Sequence, residues 1–508
     1  MAQPAEKLAD SLSVLKELQD SGVVAIRTSH LTRTHRQRLL QAGFIREVMK
    51  GWYTPSRPDE PAGDSTGWYA SFWSFCTEYL NDRFGDEWCL SAEQSLSIHI
   101  GDWTVPKQLL VRSPKGGNKP TRLLFETSLF DVRLELPPAE DRETKNGLRI
   151  FNLAAALIAC APGQFNDRPD DLRTALAMIV EPSDILRRLL GGGRTVVAGR
   201  LAGGLRNVGR NESADQVLRT MRAAGHVVHE SDPFNDAPAV KFTARETSPY
   251  VNRLKLLWAS MRSTILENFP APPDEKPDPA AYLEQVDELY TADAYNSLSI
   301  EGYRVGEALI DRVRSGNWNP DNDENDRENR NALAARGYWQ AFQRVKASLK
   351  SILQGENAGT VVRSDYDAWY AELFGPSVTA GILDPADLAG FRNGPVYIRR
   401  SMHVPPGHEA VRELMPQFFE LLQAESAPSV RVVLGHFLFV YIHPYMDGNG
   451  RMGRFLMNAM MASGGYPWTI IPVEQRAGYL SSLEAASVSH NIKPFTEFLG
   501  NLINKRRS

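Results

Sequence analysis

The chain is expected to be mainly α-helical and built of several domains, with short strands gathered in its N-terminal part. Three observations support this. Apolar residues recur at helical spacing through the C-terminal half, as at Val433, Phe437, Val440 and Tyr441 within 430–442. Short strand-like runs punctuated by Pro and Gly cluster before about residue 135. At 508 residues the chain is also too long for one ordinary domain and suggests two to four. We divide it into 1–60, 61–240 and 241–508, the last boundary lying near residue 240.

Composition narrows the function classes. Hydrophobic content of 42% with 23% charged residues is ordinary for a globular protein, and the formal charge of −4 gives no global field for nucleic acid or anionic membrane. Cys76, Cys89 and Cys160 show neither CxxC nor Cys/His spacing, so neither a zinc site nor a disulfide framework is indicated. The N-terminus lacks a basic stretch followed by an apolar core, and no apolar run approaches the roughly 18 residues of a spanning helix. A cytoplasmic protein without membrane partners is expected.

Leu8, Leu12, Leu15 and Leu18 mark one face of a first helix. Thr32 can cap a later helix through Arg33, Arg36, Arg38, Leu39 and Leu40 to Gly43. Residues 44–53 read as two strands around Lys50-Gly51. Helix, basic helix and hairpin make a winged helix-turn-helix. Between Arg27 and Lys50 six basic residues face one acid, Glu47. That balance suits duplex DNA entered by a helix carrying Arg33, Arg36 and Arg38, and it equally suits solvated arginines on a packing module. The arrangement resembles the N-terminal part of AbiEi-type antitoxin-like regulators.

Residues 61–165 form a small α/β region. Trp68 to Leu80 is helical in spacing and aromatic, as a core helix would be, and strands are expected at 108–111, 122–125 and 131–134. Lys115 to Thr121 lacks the GxxxxGK[ST] spacing of a phosphate loop. Residues 166–228 read as helical with a break at Gly191-Gly192-Gly193. Their arginines (187, 188, 194, 200, 206 and 210) suggest a solvated basic face. Pro-containing connectors follow at 229–246 and 270–279, with a helix over 251–269 between them. The acidic run 321–328 lacks the Gly and Glu of a calcium loop and reads as solvated.

The densest chemistry lies in His443-Pro-Tyr-Met-Asp-Gly-Asn-Gly-Arg-Met-Gly-Arg454. Pro444 should end the preceding helix near His443. Gly448 and Gly450 permit a tight turn, and a second helix should start at about Arg451. Its free N–H groups form an anion site. Arg451 and Arg454, three residues apart, share one face there, where cations oppose the helix dipole unless an anion such as phosphate joins them.

This string resembles the Fic-family motif HPFxDGNGRxxR, with Tyr445 replacing Phe. The resemblance runs from about Arg245 to the C-terminus and implies an α-helical Fic domain. Family members transfer AMP from ATP to a hydroxyl of a target protein, with magnesium. Carried over, His443 is the base, Asp447 the Mg²⁺ ligand, and Gly448, Asn449, Gly450, Arg451 and Arg454 the phosphate-binding residues. Tyr479 and Ser487 fall where members line the adenine pocket, although Asn is common at the latter position.

Ser297-Leu-Ser-Ile-Glu301-Gly302 resembles the family's inhibitory [ST]xxxE[GN] motif, which implies that Glu301 pairs with Arg454 and that Ser297 steadies the helix. Residues 391–406, containing Arg400, Ser401, Met402 and His403, read as a hairpin and resemble the Fic flap, which could align a target strand. His436 shares a face with His443 and is expected to pack. The expected function is adenylyl transfer to a Ser, Thr or Tyr hydroxyl of a protein target or of the chain itself, restrained by Glu301. Removal of AMP, or a DNA-binding regulator carrying a Fic domain, are the alternatives. The sequence leaves open whether the chain pairs as a homodimer.

Overall fold

The computed structural model describes residues 4–61, 63–234, 248–316 and 330–507. They form two compact units, Met1–Arg253 with Tyr397–Val404, and Leu254–Val396 with Pro405–Ser508. The acidic run 321–328 and most of the first connector lie outside the described residues.

The first unit opens with α1 (Pro4–Asp20), β1 (Ile26–Arg27), α2 (Arg33–Gln41), β2 (Ile45–Met49) and β3 (Trp52–Pro55). The three strands pair antiparallel in the order β1-β3-β2. Thr32 caps α2 by accepting the His35 N–H, and Gly51 turns the hairpin at φ 85°. Leu15, Ile26, Leu31, Leu39, Ile45 and Tyr53 bury together as a small core.

A larger core follows. Helix α3 (Thr66–Phe84) contributes Trp68, Phe72, Phe75 and Tyr79, the aromatic face read from the sequence. It packs with a four-stranded sheet of β4 (Cys89–Leu90), β5 (Gln108–Ser113), β6 (Pro120–Arg122) and β7 (Ser128–Arg133), ordered β4-β5-β7-β6. The strand expected over 122–125 stops at Arg122. Leu123 N–H closes a turn on the Thr127 carbonyl, and Phe125 and Glu126 are left-handed, which extended backbone forbids.

Helix α4 (Ala92–His99), the hairpin β8 (Arg142–Lys145) and β9 (Leu148–Phe151), and helices α5 (Leu153–Ala159) and α6 (Gln164–Asp167) lead to four more: α7 (Pro169–Ala177), α8 (Ser183–Gly192), α9 (Thr195–Asn207) and α10 (Asn211–Ala223). Gly193 ends α8 in the left-handed region. The arginines here are less free than expected. Arg188 pairs with Asp141, Arg206 with Asp215 and Glu230, and Arg210 donates to the Ala177 carbonyl.

Segment 397–404 is contiguous in sequence with the second unit but packs in the first. Val105 N–H donates to the Met402 carbonyl (2.9 Å), Arg399 pairs with Asp64 (2.7 Å), and Arg400 N–H donates to Thr66 Oγ1 (3.2 Å). Met402 and Val404 rest against the aromatic core. The expected hairpin is therefore absent: no residue of 391–406 is in a strand, and Arg400 is left-handed at φ 62°. Its polar backbone finds partners partly in local turns, as where Ser401 N–H donates to the Ile398 carbonyl (3.1 Å), and partly outside itself, and Pro405-Pro406 has no N–H to give.

The second unit is helical among its described residues. Its elements are α11 (Pro249–Asn268, which spans the division), α12 (Pro279–Ile300), α13 (Glu307–Arg314), α14 (Arg330–Leu353), α15 (Ala358–Thr379), α16 (His408–Ala424), α17 (Pro428–Ile442), α18 (Asn449–Ser463), α19 (Arg476–Ser489) and α20 (Lys493–Arg507). Helix α17 is buried on nearly all sides, which a helix apolar all round requires. Helix α18 packs on α17, α14, α15 and α12. The turn joining α17 to α18 is thus fixed from both ends.

Candidate active site at the turn between two buried helices

Helix α17 ends at His443, whose backbone is left-handed (φ 54°, ψ 60°), a common helix-ending conformation, and the following proline opposes continuation of the helix through it. Its Nδ1 lies 3.1 Å from the Val440 carbonyl, which can only accept. Nδ1 therefore carries the proton, and Nε2 holds the free lone pair. Burial, with the nearby Arg392 cation, outweighs that hydrogen bond and the Glu301 and Asp447 charges and lowers the pKa of His443 to about 4.

The turn is braced from within. Asn449 accepts the Tyr445 N–H (2.9 Å) and donates back to the Tyr445 carbonyl (2.8 Å). Asn449, expected against the nucleotide, therefore has both ends of its side chain committed to the loop. Tyr445 stacks on Tyr370 with ring centroids 3.7 Å apart, and its hydroxyl donates to Asp367 (3.3 Å). Asp447 is turned out, 58% exposed, with one oxygen on the Gly448 N–H and the other 3.3 Å from Arg451.

Helix α18 begins at Asn449 with Gly448 in the left-handed region, two residues earlier than the sequence suggested. Arg451 is buried, its guanidinium lying 5.3 Å from the Tyr303 ring and 4.9 Å from the Phe374 ring. Arg454 is buried as well. Its Nε donates to Ser297 Oγ (2.8 Å), and its Nη2 donates to the Ser297 carbonyl (3.0 Å) and to Glu301 Oε1 (2.7 Å). Arg451 Nε and Arg454 Nη1 are buried without a hydrogen-bond partner. Burial pushes the Glu301 carboxyl up, but Arg454 and Arg451 overcome this and hold it below the usual carboxylate range.

A Cβ on Gly450 would lie 2.3 Å from Glu301 Oε1, so the Glu301 carboxylate sits directly over the first turn of α18. A carboxylate thus occupies the anion position that the helix N-terminus and two arginines create. The helix that delivers it, α12, is itself anchored. Asp293, buried one turn before Ser297, accepts from Tyr338 (2.7 Å) and Trp468 (3.1 Å).

Of the remaining expected residues, Tyr479 lies within reach of Arg454 and Glu301, and the others are dispersed. Tyr479 is buried among Phe495 and Phe498, 2.7 Å by its hydroxyl from His436 Nε2, and Ser487 is buried on the same helix, α19. His436 packs, as expected, and is held neutral with its pKa lowered to about 4, chiefly by burial. Arg400, Ser401, Met402 and His403 belong to the first unit. Arg33 is exposed on α2, whereas Arg36 donates to the Thr28 carbonyl over the Tyr53 ring and Arg38 donates to the Lys7 carbonyl.

Sequence reasoning missed Arg392. It is 3% exposed, and its main-chain N–H and its guanidinium all reach the backbone around His443. A lone arginine after a phenylalanine carries no pattern that could have marked it.

Residues 365–461 match the model of the Fic/DOC family, so the chain carries a Fic domain. Over 129 residues it is 39% identical to the protein adenylyltransferase Fic of Drosophila willistoni and 37% identical to that of Drosophila melanogaster. This alignment covers 25% of the chain and about a quarter of each relative (25% and 26%). Among solved structures, residues 134–508 of Fic-1 from C. elegans align over 63% of this chain and 89% of that one, at 22% identity and a TM-score of 0.37. A Fic-domain-containing signalling protein from Bacteroides thetaiotaomicron aligns over 50% and 93%, at 17% identity and a TM-score of 0.35.

Proposed function

We propose that the second unit transfers AMP from ATP to a protein hydroxyl and that Glu301 restrains it. The observation that carries this reading is the Glu301 carboxylate lodged over Gly450 and on Arg454. It stands where a phosphate of ATP would otherwise meet the helix N-terminus and the unpartnered N–H groups of Arg451 and Arg454.

In the uninhibited site His443 Nε2 accepts the proton of the target hydroxyl as its oxygen bonds to the α-phosphorus. The bond from that phosphorus to the bridging oxygen breaks, and pyrophosphate leaves. The Gly450 region and Arg451 hold the α- and β-phosphates, and Arg454 holds the γ-phosphate. The exposed Asp447 carboxylate is a hard oxygen donor suited to Mg²⁺, whose chemistry there is charge neutralisation on the phosphates.

The test uses labelled ATP. His443→Ala should lose about 10²–10⁴-fold of the transfer rate while still binding ATP. Glu301→Gly should gain, because a charged hydrogen-bonded pair worth about 1.5–3 kcal/mol corresponds to roughly 10- to 150-fold. If Glu301→Gly labels neither itself nor a lysate protein faster than the parent, the restraint is refuted. Release of AMP from a labelled target by the parent, without net transfer, would favour the removal reaction instead.

A second reading concerns residues 1–60. The order helix, strand, 3₁₀ turn, helix, hairpin, with β1 on the far side of β3 from β2, fits a winged helix. With Arg36 and Arg38 committed internally, duplex DNA would be met by Arg33 on α2 and Lys50 at the wing. Charge reversal of both should abolish any low-salt gel shift, and a shift unchanged by it would remove this reading.

A further inference from the structure

We infer that Arg392 is a positioning residue for the general base, a clamp that holds the backbone of His443 in its left-handed conformation. The inference rests on the reading of His443 as the base.

Arg392 is buried, and the partners of its guanidinium are all main-chain carbonyls. Its Nε donates to the His443 carbonyl at 2.8 Å, its Nη1 to Gly394 at 3.0 Å, and its Nη2 to Pro406 and, at 3.5 Å, to Ile442. Its own N–H donates to the Pro444 carbonyl at 2.9 Å. Three consecutive carbonyls, those of 442, 443 and 444, are thus held by one residue. Among the described residues no carboxylate pairs with it, and burial alone lowers its pKa to about 10. What compensates the buried charge is the carbonyl end of α17, the negative pole of that helix.

This placement bears on His443 directly. A non-glycine residue in the left-handed region is strained and persists only where its surroundings enforce it. The Val440 carbonyl fixes the imidazole from one side through Nδ1, and Arg392 fixes the main chain of the same residue from the other. Together they leave Nε2 a single direction. Only a planar fork of five N–H donors can reach three chain segments at once; an ammonium presents its donors at one point.

The experiment is done in the full chain carrying Glu301→Gly, where labelling is measurable. Arg392→Gln and Arg392→Lys are compared by the self-labelling rate at saturating ATP and by the ATP concentration giving half that rate. We expect the Gln variant to lose on the order of 10²-fold in rate, the cost of about 1 Å of misplacement, and the Lys variant less. The half-saturating ATP concentration should stay within about twofold, because the phosphate-facing groups are untouched. A Gln variant within threefold of its parent in rate, or one whose loss appears only as weaker ATP saturation, overturns the inference. Should the Gln variant not fold, the Lys variant decides on the same two readings. His443→Ala in the same background is the control: if it still labels, the reading of the base fails, whereas a dead control beside an unaffected Arg392 variant removes only the clamp.

Discussion

Of the two ring nitrogens of His443, only Nε2 can take a proton, and its low basicity has a measurable sign. With its pKa near 4, His443 is neutral in the folded chain throughout the ordinary range. The rate of labelling should therefore be flat between about pH 5.5 and 7.5, with no acid limb at the unperturbed value of about 6.5. A limb at that value would show the imidazole to be ordinarily solvated. Because the folded pKa lies below the unfolded one, the stability tied to this neutral, half-buried group is present above about pH 6.5 and is lost as pH falls toward 4. Gly450 makes a second prediction at this scale. Gly450→Ala must displace Glu301 by steric contact, yet its methyl fills the phosphate position, so loss of restraint brings no gain. Labelling should stay at or below the parental rate, and adding Glu301→Gly should not restore it. The motif made these positions legible because its residue types are its chemistry. Arg392 was not legible, because an arginine that serves backbone carbonyls leaves no trace in spacing.

Helices were readable from the sequence wherever a buried face repeats, as in α3 and α17, and unreadable where partners decide. The hairpin expected over 391–406 shows why. Alternating residues there look extended, but whether extended backbone becomes a strand depends on who supplies its hydrogen bonds, and here Val105 and Thr66 do. Close helix approach is a similar case. A Cβ on Gly337 in α14 would lie 2.0 Å from the Leu373 carbonyl of α15. Helix propensity alone favours Gly337→Ala by up to about 1 kcal/mol. Overpacking against rigid backbone costs about 1–3 kcal/mol or more, so the variant should be destabilised in denaturant melts. An unchanged or raised midpoint would mean that the helices separate freely there. In α12 the buried Asp293 holds Tyr338 and Trp468, and Asp293→Ala should cost about 2–5 kcal/mol by leaving both donors unpaired, read in the same melts.

At the scale of the molecule, chain length indicated several domains, but not that their boundary is crossed twice more. The first unit runs to Arg253 and takes in Tyr397–Val404 from much later in the chain. Met402 rests on the aromatic core of the first unit. Met402→Ala should therefore lower the unfolding midpoint reported by that unit's tryptophans, by about 1–2 kcal/mol for a partly buried side chain. Equal destabilisation reported only from the helices of the second unit would contradict this placement. The same feature limits how such a gene can be remade. A crossover at one point of the coding sequence can exchange an N-terminal unit but never its last eight residues, which travel with the other parent. Any chimaera must then match Asp64 to Arg399 and the Trp68 cluster to Met402 by chance, so the two halves should be inherited together.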